Sequence, residues 1–252
     1  MIEPGTVEVT ISNHIATMNF SHPKGNSLPG TLLREMARQM TMLGQNADVR
    51  VIVLRSSGDK VFCGGASFDE LVAVKTVDEA HEFFMGFALL ILAMRDCPKF
   101  IVARVQGKVV GGGVGLVSAA DYVLATEASP IRLSELALGL GPFVIGPAVQ
   151  RKVGLPAFST MAIDADWHDA DRAKDLGLYS RVYPTIDALD EATTQFSQTL
   201  ARSNPDAMSR LKQVLWEGTE SWAQLLPQRA RISSELVVTD FGRSAIAKVQ
   251  QR

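Results

Sequence analysis

Cysteine is scarce in this chain of 252 residues, which has only two, Cys63 and Cys97. A disulfide framework is therefore not indicated, and we expect a protein of a reducing compartment, the cytoplasm. Long apolar runs are missing as well, since none approaches the roughly 20 uninterrupted residues of a membrane-spanning helix. The first residues show no basic region followed by an apolar run, so a signal peptide is not expected either. These absences predict a protein without a membrane partner.

An excess of charge of one sign is also absent. The chain has 25 basic and 27 acidic residues and a formal net charge of −2, so we expect no nucleic-acid partner. Its four histidines, at positions 14, 22, 81 and 168, are not spaced as metal ligands, and we expect no metal. A phosphate loop of the type G-x-x-x-x-G-K-[ST] is absent from the sequence. With 46% hydrophobic residues, the chain is able to bury a large core.

Short apolar runs alternate with amphipathic segments in the first half and predict an α/β fold. A hairpin is predicted at residues 6–20, strands at 51–54, 101–105 and 122–126, and helices at 31–46, 77–94 and 113–120. Wholly apolar strands separated by helices are typical of a buried parallel sheet. From about residue 156 onward the pattern is mostly helical. The segment from Trp222 to Val249 is apolar enough to predict an interface with another subunit.

Two glycine-rich turns, each near the end of a predicted strand, are the most informative local features. The first is Phe62–Ala66 and the second is Gly107–Leu116. Glycine allows a ligand to approach the main chain, and a helix N-terminus leaves N–H groups free. Two such turns facing each other can offer two N–H donors to one oxygen, which is an oxyanion hole. Either turn alone also fits tight packing, and Gly113–Ser118 nearly matches the dinucleotide-binding pattern G-x-G-x-x-G.

Four segments, in the expected order, resemble the enoyl-CoA hydratase/isomerase (crotonase) family. His22–Leu28 resembles its RPxALNAL loop, and Phe62–Leu71 resembles its FxAGADLKEL turn. Ile101–Asp121 is similar to its strand, glycine-rich turn and helix, and residues 170–182 to its A-x-x-A-x-x-x-G-L-V stretch. Together these segments span essentially the whole chain.

The resemblance implies an α/β crotonase fold of repeated ββα units. It implies a core with the acyl-CoA site over residues 1–195. A helical C-terminal region, residues 196–252, would pack on the core and on neighbouring subunits. The expected assembly is a homotrimer or a dimer of trimers.

The resemblance also implies a substrate and a site. Family members act on acyl-CoA thioesters, so coenzyme A enters as part of the substrate and no separate cofactor is expected. By motif position, the main-chain N–H groups of Ala66 and Gly112 form the oxyanion hole. The residues that correspond to the coenzyme A-binding part of the family are Lys24, Gly25, Asn26, Ser27, Gly65 and Ala66.

The number of carboxylates bears on the reaction. Hydratases of the family use two glutamates, one in the pattern GGGxE and one about twenty residues later. In this chain the first position is Gly115 and the second is Glu135. Adding water to a 2-enoyl thioester calls for two acid–base groups, whereas moving a double bond between the 3- and 2-positions needs only one base. We therefore expect an isomerase with Glu135 as its base, and an apolar pocket would raise the pKa of that base.

Alternatives remain open at this point. A hydratase of fatty-acid or branched-chain acyl degradation is one, and Asp69 or another acid would then enter the site. A non-catalytic acyl-CoA-binding protein is another. Glu135 is also explained by a structural pair with Arg132. A serine hydrolase built on Ser118 has no evident histidine and acid partners, and Cys63 fits a small buried thiol better than a nucleophile.

Overall fold

The computed structural model describes residues 3–250, with side chains as far as residue 248. The two ends of the predicted division, residues 1–2 and 251–252, lie outside the described residues. The strands are β1 (Thr6–Ser12), β2 (Ile15–Ser21), β3 (Val51–Ser56), β4 (Val61–Cys63), β5 (Phe100–Val105), β6 (Lys108–Val110), β7 (Tyr122–Thr126), β8 (Ile131–Arg132) and β9 (Arg181–Tyr183). The helices are α1 (Gly30–Gln45), α2 (Phe68–Ala73), α3 (Val77–Asp96), α4 (Gly112–Ala119), α5 (Gly146–Asp164), α6 (Ala170–Asp175), α7 (Ile186–Ala201), α8 (Pro205–Leu215), α9 (Trp222–Val237) and α10 (Asp240–Gln250).

The strands form two sheets, and the chain alternates between them. The larger sheet has the order β1-β2-β3-β5-β7-β9, and the smaller has the order β4-β6-β8. The hairpin β1–β2 is antiparallel, and the other pairs in both sheets are parallel. In each of the pairs β3–β4, β5–β6 and β7–β8, the first strand joins the larger sheet and the second joins the smaller, and a helix follows. The predicted ββα repeat is therefore confirmed.

Both faces of the larger sheet are covered, which explains its wholly apolar strands. Ile52 and Leu54 of β3 belong to the main core that α1 and α3 complete. Val51 points the other way and packs in a smaller cluster with Leu189 and Ala201 of α7. Each fully buried aliphatic side chain of this kind contributes about 1.5–3 kcal/mol. Shifting the register of β3 by one residue would turn each of its side chains to the opposite face of the sheet. Packing on both faces therefore fixes the register.

Local signals set several helix ends as predicted. The Thr76 hydroxyl accepts from the Glu79 N–H, and the Glu79 carboxylate accepts from the Thr76 N–H, which is a capping box at the start of α3. The Asn204 side chain accepts from two N–H groups of the first turn of α8, and Pro205 follows as the first helical residue.

Four short strands are not predicted from the sequence. β4, β6, β8 and β9 contain two or three residues each, which is too short for an alternating pattern to develop. The helical segment predicted from Trp222 to Lys248 is interrupted. α9 ends at Val237, and the Thr239 hydroxyl then accepts from the Gly242 N–H as the cap of a new helix.

The helical C-terminal region is attached closely to the core. The buried carboxylate of Asp121 accepts from Lys212 of α8 at 2.8 Å and from the Trp216 indole at 3.0 Å. Its Oδ2 also accepts from the Ile101 N–H of β5 at 2.8 Å. The predicted division at residue 195 falls inside α7 and stays a prediction.

The apolar side of α9 packs inside the chain. Leu226, Ala230 and Val237 are buried, and α9 lies along α3. The expectation that residues 222–249 present an apolar surface to other subunits therefore loses its basis for α9. No helix within residues 3–250 is both long and apolar enough to span a lipid bilayer.

Candidate active site

The three strands of the smaller sheet end at one edge, because they run parallel to each other. β4 leads into Gly64–Ala66, β6 into Gly111 and Gly112, and β8 into Ser134 and Glu135. The carboxyl ends of parallel strands are the usual place for a ligand in α/β proteins. Residues from all three ends line a single pocket of about 570 Å³, including its open mouth.

The first glycine turn is held in place by a bridge to Leu28. Leu28 pairs with the turn, donating from its N–H to Gly65 O at 2.8 Å and accepting from the Ser67 N–H at 3.2 Å. In a parallel bridge the partner residue bonds to the neighbours on either side of the central residue. The N–H of Ala66 therefore points away from Leu28, and Ala66 itself lines the pocket.

The two glycine turns touch each other. Gly65 has a φ of +88°, and a Cβ there would lie 2.9 Å from Val110 O and 3.5 Å from Gly112 N. A side chain at this position is therefore excluded both by conformation and by the second turn. Gly111 has φ +52° and ψ −119°, which turns the chain sharply from β6 into α4.

Gly112 is the first residue of α4 and lines the pocket. An N–H in the first turn of a helix has no acceptor within that helix, and the positive end of the helix dipole lies there. A Cβ on Gly112 would overlap the ring of Phe87 from α3, so no larger residue fits. Ala66 and Gly112 thus belong to contacting turns and line the same pocket.

Glu135 lies beside the second turn. The place that a Cβ on Gly111 would occupy is 3.1 Å from Glu135 Oε1. The main-chain oxygen of Glu135 accepts from the N–H groups of Leu138 and Leu140, both at 3.0 Å, which holds the backbone in place. Its Oε2 is buried and has no hydrogen-bond partner among the described residues.

Burial raises the pKa of the Glu135 carboxyl to about 7, because the charged form loses its contact with water. The N–H groups of Glu135 itself and of Ser134 lower it and offset part of that effect. The alternative pair with Arg132 is not formed, because the Arg132 guanidinium donates to Ala165 O at 2.6 Å. A carboxyl group with this pKa is well matched to proton transfer near neutral pH.

The pocket walls are otherwise apolar. They are formed by Phe68, Leu71, Phe84, Phe87, Leu138, Leu140, Pro142, Phe143, Val144 and Ile145. Three polar side chains complete the lining within the described residues: Ser134, Glu135 and Ser233. A pocket with few polar groups and apolar walls fits a mainly hydrocarbon ligand.

The side chain of Ile145 packs directly against Gly115. A Cβ on Gly115 would lie 2.5 Å from Ile145 Cγ2 and 2.6 Å from Ile145 Cβ. Ile145 lines the pocket, so its side chain fills the space toward which a residue at 115 would extend. Asp69 is not in the pocket lining within residues 3–250.

The predicted coenzyme A loop adjoins the pocket without lining it within the described residues. The Gly64 N–H donates to Gly25 O at 2.9 Å, which joins the loop to the first glycine turn. The Asn26 amide donates to Ser57 O and Val61 O, both at 2.8 Å.

Polar side chains of the loop hold its shape. Ser27 Oγ lies 3.0 Å from His22 Nδ1, and both Asn26 and Ser27 are buried. These two side chains therefore serve the loop itself, and a ligand would meet main-chain atoms there. Among residues 24–27 of the loop, Lys24 has an exposed side chain, and its Nζ lies 2.6 Å from Asp69 Oδ2 of α2.

Two other candidate nucleophiles are inert in this setting. The hydroxyl of Ser118 is buried and donates to Val114 O at 2.7 Å inside α4. The thiol of Cys63 is free and buried, and burial raises its pKa to about 12. Neither residue lines the pocket in the described part of the chain.

Ile145 and Ser233 line the pocket but are not among the residues predicted from the sequence. Ile145 carries no motif and is visible only as the neighbour of Gly115. Ser233 leaves a usable signal, since it falls in the inward stripe of α9 with Leu226, Ala230 and Val237. A polar residue at a position that the helical period assigns to the core is worth testing as a site residue.

The chain is similar to one family of known proteins. The sequence model of the enoyl-CoA hydratase/isomerase family matches residues 10–243. A peroxisomal Delta(3,5)-Delta(2,4)-dienoyl-CoA isomerase of Arabidopsis thaliana is 27% identical over 238 residues, covering 88% of this chain and 84% of the relative. An enoyl-CoA hydratase of Alternaria alternata is 27% identical over 250 residues, covering 99% of this chain and 79% of the relative.

The fold has close counterparts among solved structures. The crystal structure of an enoyl-CoA hydratase from Bacillus halodurans aligns with a TM-score of 0.88 at 18% identity, covering 96% of this chain and 99% of the other. The predicted crotonase fold is therefore confirmed. Because the family match extends over nearly the whole chain, the protein belongs to the enoyl-CoA hydratase/isomerase family.

Proposed function

We propose that this protein isomerises enoyl-CoA thioesters, moving a carbon–carbon double bond between the 3- and 2-positions, with Glu135 as the single proton carrier. The observation that carries the proposal is a lone carboxylate among the described residues of the pocket, with its pKa raised to about 7. It lies next to two contacting turns whose N–H groups are available to an oxygen.

The proposed reaction needs no group beyond these. The thioester oxygen accepts from the N–H groups of Ala66 and Gly112. Glu135 removes a proton from the carbon next to the thioester, and the electron pair of that bond forms a dienolate. The proton then returns from Glu135 to the carbon two positions further along, so atoms and charge balance without water or a cofactor. Each N–H donor is expected to stabilise the anionic oxygen by about 3 kcal/mol.

The packing of Ile145 favours an isomerase over a hydratase. A hydratase needs a second group to activate water, and the family position for it is occupied by Gly115. Adding a glutamate there would force its Cβ within 2.6 Å of Ile145 Cβ. Gly115→Glu alone is therefore not expected to add hydratase activity, because only a simultaneous Ile145→Gly makes room.

Binding of the coenzyme A part is proposed at the loop of residues 24–27. Lys24 offers an exposed ammonium group on that loop, at the same edge of the pocket as the first glycine turn. A phosphate of coenzyme A would compete with Asp69 for it. The main chain of Gly25 to Ser27 would contact the ligand, because the side chains of Asn26 and Ser27 are turned inward.

The direct test is a comparison of 3-enoyl-CoA and 2-enoyl-CoA as substrates for the purified protein. We expect conversion of the 3-enoyl thioester into the conjugated 2-enoyl thioester, followed by its ultraviolet absorbance. Glu135→Gln should lower turnover by a factor of roughly 10² or more while acyl-CoA binding is kept. Glu217→Gln, at an exposed carboxylate, is the matched control and should leave turnover unchanged.

Each alternative has its own outcome in the same experiment. Hydration of 2-enoyl-CoA without conversion of 3-enoyl-CoA would assign a hydratase. Thermal stabilisation by acyl-CoA without any turnover would assign a non-catalytic binding protein. Near-normal turnover of Glu135→Gln would show that another group is the base.

A further inference from the structure

Ser233 introduces a hydroxyl into the pocket from a helix far along the chain. Its neighbours in the inward stripe of α9, Leu226, Ala230 and Val237, are apolar. Ser233 keeps only 2% of its surface accessible and is one of the residues that line the pocket. The other two polar side chains of the lining, Ser134 and Glu135, come together from the loop after β8. Ser233 is therefore a separate polar position in an apolar wall.

The hydroxyl of Ser233 makes no hydrogen bond with any described residue, whereas its neighbour in sequence does. Ser234 Oγ donates to Ala230 O at 2.6 Å and is fully buried. Helical serines commonly satisfy themselves in this way, so Ser233 is the exception of the pair. The Ser233 Oγ is not sealed from solvent as the unpartnered Glu135 Oε2 is, so it is open to the pocket, where a ligand oxygen can bond to it.

We infer that the acyl group of the natural thioester carries an oxygen, as a keto or hydroxyl substituent, and that Ser233 binds this oxygen. This inference rests on the proposed function, since it places the acyl chain in the pocket beside Glu135. The surrounding wall is hydrocarbon, so one hydroxyl on an otherwise apolar surface distinguishes an oxygenated chain from a plain one. Ser233 is then a specificity-determining residue, and the proton transfer stays with Glu135.

The test uses saturated acyl-CoA thioesters, which bind without reacting. Each carries a keto group at one carbon beyond the fourth and is paired with its unsubstituted hydrocarbon. Calorimetry on the wild-type protein should show, at one keto position, binding tighter by roughly tenfold than that of the paired hydrocarbon. Ser233→Ala should abolish this preference, and Ser233→Thr, which keeps the hydroxyl, should retain it.

Ser234→Ala is the matched control, because its hydroxyl is bonded within α9 and does not line the pocket. It should keep the preference for the keto thioester. The protein without ligand offers a second readout. Ser233→Ala should melt close to the wild type, since its hydroxyl makes no hydrogen bond with the described residues, and Ser234→Ala should melt lower, since it loses the bond to Ala230 O.

The outcomes separate this inference from the proposed function. Equal binding of every keto and hydrocarbon pair by the wild type would refute the role of Ser233 and leave the proposed function standing. A preference that survives in Ser233→Ala would refute it equally. Failure to bind any acyl-CoA would refute the proposed function and this inference together.

Discussion

The burial of the Glu135 carboxyl group should make the free energy of unfolding depend on pH. Its carboxyl group has a pKa of about 7 in the folded protein, against 4.5 for an ordinary glutamate, because burial disfavours the charge. Between these two pKa values the folded state binds more protons than the unfolded state. The free energy of unfolding therefore falls as pH rises through about 4.5 to 7 and stays lowered above that window.

The size of the effect follows from the same two values. A difference of about 2.5 in pKa, at about 1.4 kcal/mol per unit, corresponds to about 3 kcal/mol of lost stability once Glu135 is ionised. Glu135→Gln has no charge to bury. Its stability relative to the wild type should therefore increase by about 2–3 kcal/mol between about pH 5 and pH 8. For a chain of this length that corresponds to roughly 5–10 °C in melting temperature.

The assay is a series of thermal or urea unfolding curves for both proteins across that pH range. Glu35→Gln is the control, because hydrogen bonds from Arg38 and Gln39 lower the pKa of Glu35 to about 2. Its stabilising contribution is complete above the ordinary pKa and is lost only in acid, so the effect of Glu35→Gln should not vary between about pH 5 and pH 8. A pH-independent difference for Glu135→Gln as well would refute a desolvated carboxyl group.

Three further predictions concern activity and assembly. Turnover of the best thioester should rise with pH and level off above about pH 7, because Glu135 acts as a base in its ionised form, and a pH–rate profile that falls over this range would contradict the assignment. Gly112→Ala should lower turnover by roughly 10²-fold, because the added Cβ overlaps Phe87 and displaces one N–H donor; steady-state kinetics measure this, and unchanged turnover would exclude that donor. Leu155 and Ile163 of α5 are 57% and 71% exposed, and exposed apolar side chains of this kind favour an interface with another subunit. Light scattering should therefore show a trimer or a dimer of trimers, and replacing both residues by glutamate should dissociate it. A wild-type monomer at micromolar concentration would rule this out.

The sequence predicts the larger sheet well because its strands are long and wholly apolar. The run Val51–Leu54 is buried on both faces, so composition alone identifies it. The smaller sheet is invisible to the same reasoning, since β8 has two residues and β6 lies inside a glycine cluster. Its pairing is fixed by contacts between residues far apart in the chain, such as Gly111 N to Arg132 O at 2.8 Å. Periodicity over a few residues carries no such information.

The candidate site can be predicted from the sequence where the backbone conformation requires a particular residue type. Gly65 and Gly111 stand at positive φ and Gly112 under an aromatic ring, so these positions require glycine. Motif resemblance finds them for that reason. Glu135 follows from its spacing to the same motif. By contrast, Ile145 in the pocket wall belongs to no motif, and any apolar residue would fit the sequence pattern there. Its role becomes visible only from its packing against Gly115 in the structure.

The relation between Gly115 and Ile145 links the fold to the chemistry. The loss of a carboxylate at position 115 would leave a cavity beside the pocket, which costs about 24 cal/mol per Å³ in proteins where this has been measured. Here the space is filled by Ile145 from the start of α5, so the pocket gains an apolar wall where a second acid–base group would stand. This packing favours the single base of the proposed isomerase, and replacing Ile145 by glycine together with Gly115→Glu should reverse that feature. The expected results are a second carboxylate in the pocket, hydration of 2-enoyl-CoA, and a shift in the pH–rate profile. If the double variant folds with bound acyl-CoA but shows neither change, the wall formed by Ile145 does not determine the reaction.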